Sequence, residues 1–226
     1  MIDTVIFDFD GTVMDTNKII IESWQHTYRT LRGQEGDLTY ILSTFGEPLE
    51  YSMRNTFPEV PVEESVETYR SWHVDHFWDM IDLFPGIYEL LEEVKNQGYK
   101  TGIATSRLNA TLYKGLEKFD LEKFFDAIVT VEDIQNAKPH PETILKVLDK
   151  LGSSPENAVM LGDTRLDMIC ARNAGCTPIL VGWSASLAGK TIADFPENEA
   201  PEYIIRKPED LFSIIKYSLY DWITAI

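Results

Sequence analysis

The chain has 226 residues, enough for one large domain or a core with a smaller companion. Its formal charge of −17 argues against nucleic acid and anionic membranes as partners, since both require net positive contacts. Two cysteines, Cys170 and Cys176, are too few for a disulfide scaffold and suit a reducing compartment; with no leader-like segment and no apolar run of membrane-spanning length, a cytoplasmic protein is expected.

The first element is the apolar run Val5-Ile6-Phe7, which reads as a strand and runs into Asp8-Phe9-Asp10-Gly11-Thr12, with Asp15 three residues on. Side chains alternate along a strand, so carboxylates spaced by two converge on one side of the chain. Gly11 permits a sharp turn there, and the Thr12 hydroxyl can hold it. Gathered acids repel one another and call for a hard, oxygen-preferring cation such as Mg²⁺. A solvated turn is the competing reading of this segment alone.

Residues 16–82 carry little strand signal. Ile20, Trp24, Tyr28 and Leu31 recur at helical spacing, as do Val62, Val66, Tyr69, His73, Phe77 and Met80. We expect a small helical subdomain inserted after the acidic turn, ending at the breaker-rich Asp82-Leu83-Phe84-Pro85-Gly86. His73 lies on an apolar stripe and is expected to be a buried, hydrogen-bonded core residue rather than a catalytic one; His26 and His76 are read likewise.

From residue 83 onward strands alternate with helices. The strands are expected at Thr101–Thr105, Ala127–Thr130, Ala158–Leu161, Pro178–Val181 and Tyr203–Ile205. The helices are expected at Ile87–Asn96, Ala110–Lys118, Glu142–Leu151 and Leu166–Asn173, with Gly98, Gly152 and Gly175 just past three of them. This pattern predicts an α/β fold, a Rossmann-like parallel sheet with helices on both faces, plus the inserted all-α unit. The core is assigned residues 1–15 and 83–226. The apolar stretch Ser213–Ile226 is expected to cover the sheet or to meet a second subunit, which leaves a homodimer open; membrane attachment is disfavoured, since Lys216 is its one basic residue.

Functional groups in open parallel sheets collect beyond the carboxyl ends of the strands. Four features fall at such ends: Asp8 with Asp10, Thr105-Ser106-Arg107, Lys138-Pro139, and Gly162–Asp167 with its acids Asp163 and Asp167. The set suits phosphoryl transfer. Asp8 can be the nucleophile, and Asp10 can protonate the leaving oxygen and later activate water. Lys138 offers a positive charge, while Thr105 and the Ser106 amide can donate to phosphoryl oxygens. Asp163, with Asp167 behind it, supplies oxygen ligands for a cation that screens nucleophile from phosphate.

These motifs, in this order over nearly the whole length, resemble the haloacid dehalogenase-type superfamily of aspartate-nucleophile phosphohydrolases. The resemblance implies Mg²⁺ held by the Asp8 carboxylate, the Asp10 backbone carbonyl and Asp163, under a helical cap at 16–82 that excludes water. True dehalogenases lack the second acid, so Asp10 argues against carbon–halogen cleavage. Phosphonate-cleaving relatives lack it too and use a cap lysine, whereas Lys18 is the only lysine in this segment.

The closer resemblance is to phosphoglycolate phosphatases and bacterial pyrophosphatases. Phe45-Gly46-Glu47-Pro48-Leu49 looks like their cap loop, which makes Glu47 a substrate-binding candidate. Asn136-Ala137-Lys138-Pro139-His140-Pro141 looks like their third motif. Arg107 is a further substrate-binding candidate, although similar pyrophosphatases often carry lysine there, so the contact to the outer phosphate is expected to be altered or absent. The expected substrate is a small phosphorylated metabolite, phosphoglycolate or pyrophosphate; the alternatives are a β-phosphoglucomutase-like mutase and a non-enzymatic phosphate- or metal-sensing protein. No basic cluster is evident at 16–82 to grip a sugar phosphate, although Arg29, Arg32, Arg54 and Arg70 occur there.

Overall fold

A computed structural model describes residues 1–185 and 191–216. In chain order, β1 (Thr4–Phe7) and the short β2 (Met14–Asp15) precede four helices, α1 (Asn17–Arg32), α2 (Leu38–Ser43), α3 (Leu49–Thr56) and α4 (Val62–Met80). There follow β3 (Asp82–Leu83), α5 (Ile87–Asn96), β4 (Lys100–Ala104), α6 (Asn109–Lys118), β5 (Ala127–Val129) and α7 (Glu142–Leu151). The described chain closes with β6 (Ala158–Gly162), α8 (Arg165–Ala174), β7 (Thr177–Val181), β8 (Tyr203–Ile205) and α9 (Leu211–Ile215).

Six strands form one parallel sheet in the order β5-β4-β1-β6-β7-β8. Alternation along each strand supplies two cores. Val5, Phe7, Ile103, Val159, Leu161, Ile179 and Val181 face one side, where α5, α6 and α9 pack. Ile6, Ala104 and Met160 face the other, against α7 and α8. A Cβ at Gly102 would lie 2.3 Å from Val147 Cγ1, so this glycine sets how closely α7 approaches β4. Because β1 pairs with β4 on one side and β6 on the other, the chain's direction of winding reverses at β1. The acidic turn therefore opens at the topological switch point.

Helices α1–α4 bury a separate cluster that includes Trp24, Tyr28, Ile41, Met53, Phe57, Val66 and Tyr69. The α4 stripe belongs to both cores: Val66 and Tyr69 lie in the helical cluster, while Phe77 belongs to the sheet core.

The expected core strands and helices form, with ends displaced by at most one residue. Two short strands, β2 and β3, differ from expectation. Asp82–Leu83, expected as a breaker segment, is β3 and pairs antiparallel with Met14–Asp15, so both chain connections to the helical unit run through one two-stranded ribbon. Of the apolar C-terminal stretch, Ile215 is buried against the sheet; residues 217–226 lie outside the described residues. Among the described residues, no helix is long and apolar enough to cross a membrane.

Candidate active site

The turn after β1 is built by its own backbone. Phe9 O accepts from the amides of Val13 and Met14, and Gly11 N donates to Met14 O at 2.8 Å. Gly11 has φ +75, and a Cβ there would lie 2.2 Å from Asp163 Oδ2. The glycine thus serves twice: it permits the turn, and it lets the acidic loop after β6 approach the loop after β1. This brings Asp8, Asp163 and Asp167 together, with one carboxylate oxygen of each within 4.8 Å of the others, all buried.

Lys138 Nζ donates to Asp8 Oδ1 at 2.8 Å and to Asp167 Oδ1 at 2.6 Å. Asp167 Oδ2 accepts from Thr164 Oγ1 and from the Thr164 amide, closing a capping box at the start of α8. Three carboxylates are thus buried together, and the Lys138 ammonium pairs with two of them, Asp8 and Asp167. Burial raises the Asp8 carboxyl well above the ordinary carboxylate range; Lys138 opposes this, while Asp167 and Asp163 add to it. For Lys138, burial works against the charge, yet Asp167 and Asp8 hold it well above the ordinary lysine range. A buried all-oxygen set with excess negative charge has the chemistry that a hard divalent cation requires, so these residues fit one.

Asp10 behaves differently from its neighbour. Its carboxylate leaves the acidic cluster, and Arg107 Nη1 donates to its Oδ1 at 2.6 Å. Arg107, expected as a substrate contact, thus borders the cavity and at the same time holds Asp10. Its guanidinium lies 4.4 Å over the Phe77 ring. Thr105 is buried on the cavity wall, where its Oγ1 accepts from the Arg107 amide; Ser106 borders the same cavity. Glu47 also borders it, but it is engaged by Ser52 Oγ at 2.9 Å and faces Arg165 at 3.4 Å.

The cavity, of about 480 Å³, lies between the strand ends and the helices. Residues of the helical unit that border it include Asn17, Ile20, Trp24 and Tyr69, with Thr16 just before α1. His73, expected as a buried and hydrogen-bonded core residue, is hydrogen-bonded to Ser23 but only half-buried, because it borders the cavity as well. The stripe of α4 crosses from one hydrophobic core to the other, and His73 falls at the crossing, where the cavity opens. Burial, then the nearby Arg107, lowers its pKa to about 3. His26 and His76 instead flank Trp72, at ring distances of 5.6 Å and 4.1 Å.

Two residues escaped the sequence reading. Ser184 Oγ donates to Asp163 Oδ2 at 2.7 Å, and Trp183 Nε1 donates to Thr12 O at 3.0 Å. Both follow β7, so the rule that groups gather at strand ends, applied once more, would have found them.

The family model described as haloacid dehalogenase-like hydrolase matches residues 5–181. The chain is 36% identical over 217 residues to a protein named pyrophosphatase PpaX from Bacillus cereus, covering 95% of this chain and 96% of that one. It is equally similar, over the same shares, to the PpaX of Bacillus anthracis. Among solved structures, a haloacid dehalogenase-like family hydrolase from Streptococcus pneumoniae superposes with a TM-score of 0.79 at 28% identity, over 94% of this chain and 98% of that one. A Lactobacillus plantarum protein assigned as a phosphoglycolate phosphatase gives 0.79 at 21% identity, over 94% and 99%, which shows a shared fold.

Proposed function

Because the chain belongs to the haloacid dehalogenase-like hydrolases, we propose that it is a Mg²⁺-dependent phosphohydrolase of small phosphorylated metabolites, with pyrophosphate and phosphoglycolate as first candidates. The observation that carries this reading is Asp8: a buried carboxylate at the cavity wall, paired with Lys138 and crowded by Asp163 and Asp167.

A carboxylate oxygen of Asp8 attacks phosphorus, the bond from phosphorus to the leaving oxygen breaks, and Asp10 delivers a proton to that oxygen. The product is an acyl-phosphate on Asp8. In the second step Asp10 takes a proton from water, the water oxygen attacks phosphorus, and the bond to Asp8 breaks to release phosphate. Thr105 and Ser106 address the phosphoryl oxygens, and Lys138 holds Asp8 in line for attack. Asp8, Asp163 and the Asp10 carbonyl would hold Mg²⁺, with Asp167 beside them. Bound there, the ion supplies the positive charge that lets two anions approach.

On this reading residues 16–82 are a cap over a core of 1–15 and 83–226, and Glu47 lies in the loop that shapes substrate choice. A mutase would need basic groups on the helices to retain a sugar phosphate between steps. Among the described residues, Arg29 and Arg32 pair with surface acids, while Arg70, which borders the cavity, pairs with Glu50. That arrangement favours hydrolysis. The test is a phosphate-release screen over small phosphomonoesters and pyrophosphate, with and without Mg²⁺. Isomerised sugar phosphate without phosphate release, or turnover indifferent to EDTA, would overturn the reading.

A further inference from the structure

Arg107 orients Asp10 by one oxygen, Oδ1, and takes no part at Oδ2. Something must in turn hold Arg107, because a guanidinium on a loop has several rotatable bonds and one ion pair fixes only one end. The second anchor comes from the helical unit. Arg107 Nη2 lies 3.4 Å from His73 Nε2, and Phe77, one turn along α4, lies beneath the guanidinium plane.

The protonation of that contact follows from its neighbours. Ser23 Oγ donates its single proton to Ile19 O at 2.6 Å. Its 3.1 Å contact to His73 Nδ1 must therefore be donated by the histidine, which leaves Nε2 as a bare acceptor facing Arg107. The lowered His73 pKa agrees with a neutral ring. The ring is steadied by stacking on Tyr69 at 5.6 Å. A directed chain thus runs from Ile19 and Ser23 on α1, through His73 on α4, to Arg107 and Asp10 at the strand ends.

We propose that His73 is a positioning residue that acts through Arg107 to hold Asp10 in the orientation that protonates the leaving group. The proposal rests on Asp10 being the acid, as above. It differs from a packing role in its dependence on the leaving group. An alkyl oxygen needs the proton as it departs, whereas p-nitrophenolate leaves without it.

The experiment measures kcat/KM, which reports the first phosphoryl transfer, for phosphoglycolate and p-nitrophenyl phosphate. His73→Phe keeps the ring and loses both hydrogen bonds. It is expected to lower kcat/KM about tenfold for phosphoglycolate and less than about threefold for p-nitrophenyl phosphate. His73→Gln, whose amide oxygen can reach Arg107, is expected to restore most of the loss. If the phenylalanine variant does not fold, His73→Asn replaces it, since it keeps the Ser23 side and falls short of Arg107. In an Arg107→Met background, His73→Phe is expected to add little further loss.

Equal losses on both substrates, no loss on either, or additive losses in the double variant would overturn the proposal. Asp10→Asn separates the two readings. If it retains phosphoglycolate hydrolysis, the acid assignment fails; if it loses that activity while the His73 variants match the wild type, only the positioning role fails.

Discussion

Asp8 and Asp167 share the ammonium of Lys138, at 2.8 Å and 2.6 Å, so one cation links the end of β1 to the start of α8. Removing it would leave three buried carboxylates facing one another. Lys138→Met is expected to destabilise the metal-free protein by about 3–5 kcal/mol and to abolish phosphate release. Urea unfolding in EDTA measures the first effect; a cost below about 1 kcal/mol would show that water or proton uptake already relieves the cluster.

Asp8→Asn should separate stability from activity. Turnover is expected to fall by about four orders of magnitude, since the proposed nucleophile is gone. The metal-free variant should melt higher than the metal-free wild type, because one crowded carboxylate becomes neutral. Added Mg²⁺ should raise the wild-type melting temperature more than that of the variant. Calorimetry with and without EDTA provides the comparison, and a lower melting point for the variant would contradict the charge argument.

Ser184→Ala removes the donor on Asp163 Oδ2. If Asp163 is a metal ligand as proposed, the Mg²⁺ concentration giving half-maximal activity is expected to rise about tenfold, the usual effect of losing a group that orients such a ligand. A Mg²⁺ titration of activity at saturating substrate measures it; an unchanged midpoint would place Ser184 outside the metal's support.

Gly46→Ala tests the helical loop over the site. Gly46 has φ +82, and a Cβ there would lie 2.9 Å from Thr164 Oγ1 and Cγ2. Thr164 cannot easily give way, because it caps α8 through Asp167. The loop must move instead, so KM should rise several-fold with a smaller change in kcat. Steady-state kinetics decide it; unchanged KM would mean that the loop tolerates the displacement.

His73 also sets an acid dependence of stability. The folded chain resists protonating this ring until about pH 3, whereas the unfolded chain takes up the proton near the ordinary value of 6.5. Stability from this group is therefore full above pH 6.5 and falls as pH drops toward 3, by at most about 1.4 kcal/mol per pH unit. His73→Gln should show a shallower decline than wild type between pH 6.5 and 4.5. Parallel slopes in urea titrations across that range would mean that the ring is readily protonated in the native state.

Most of the sheet was legible because its strands and helices have contrasting periods and firm ends. α7 lies between Pro141 and Gly152, and its observed span matches the expected one. β2 and β3 were not legible, since two residues each carry no period and their pairing depends on the return of the chain from the helices. Asp8, Lys138, Asp163 and Asp167 were legible as a group from their places at strand ends. The partner of Asp10 was not, because whether a flexible arginine turns to substrate or to a carboxylate depends on packing with Phe77 and His73. The partial exposure of His73 was not legible for a related reason: an apolar stripe shows which face of a helix is covered, but not where along its length the cover changes.

The ribbon of Met14–Asp15 against Asp82–Leu83 gives the helical insertion a single doorway. Its two ends are already held side by side by the sheet-bearing part, so a longer or shorter insertion changes little in the entropy of closing the loop, about 0.6 kcal/mol per doubling of length. Insertions of other size or chemistry could be grafted onto the same threshold without disturbing strand register. On the proposed reading, substrate preference can then diverge in descendants of this scaffold while the strand-end residues beneath it stay in place.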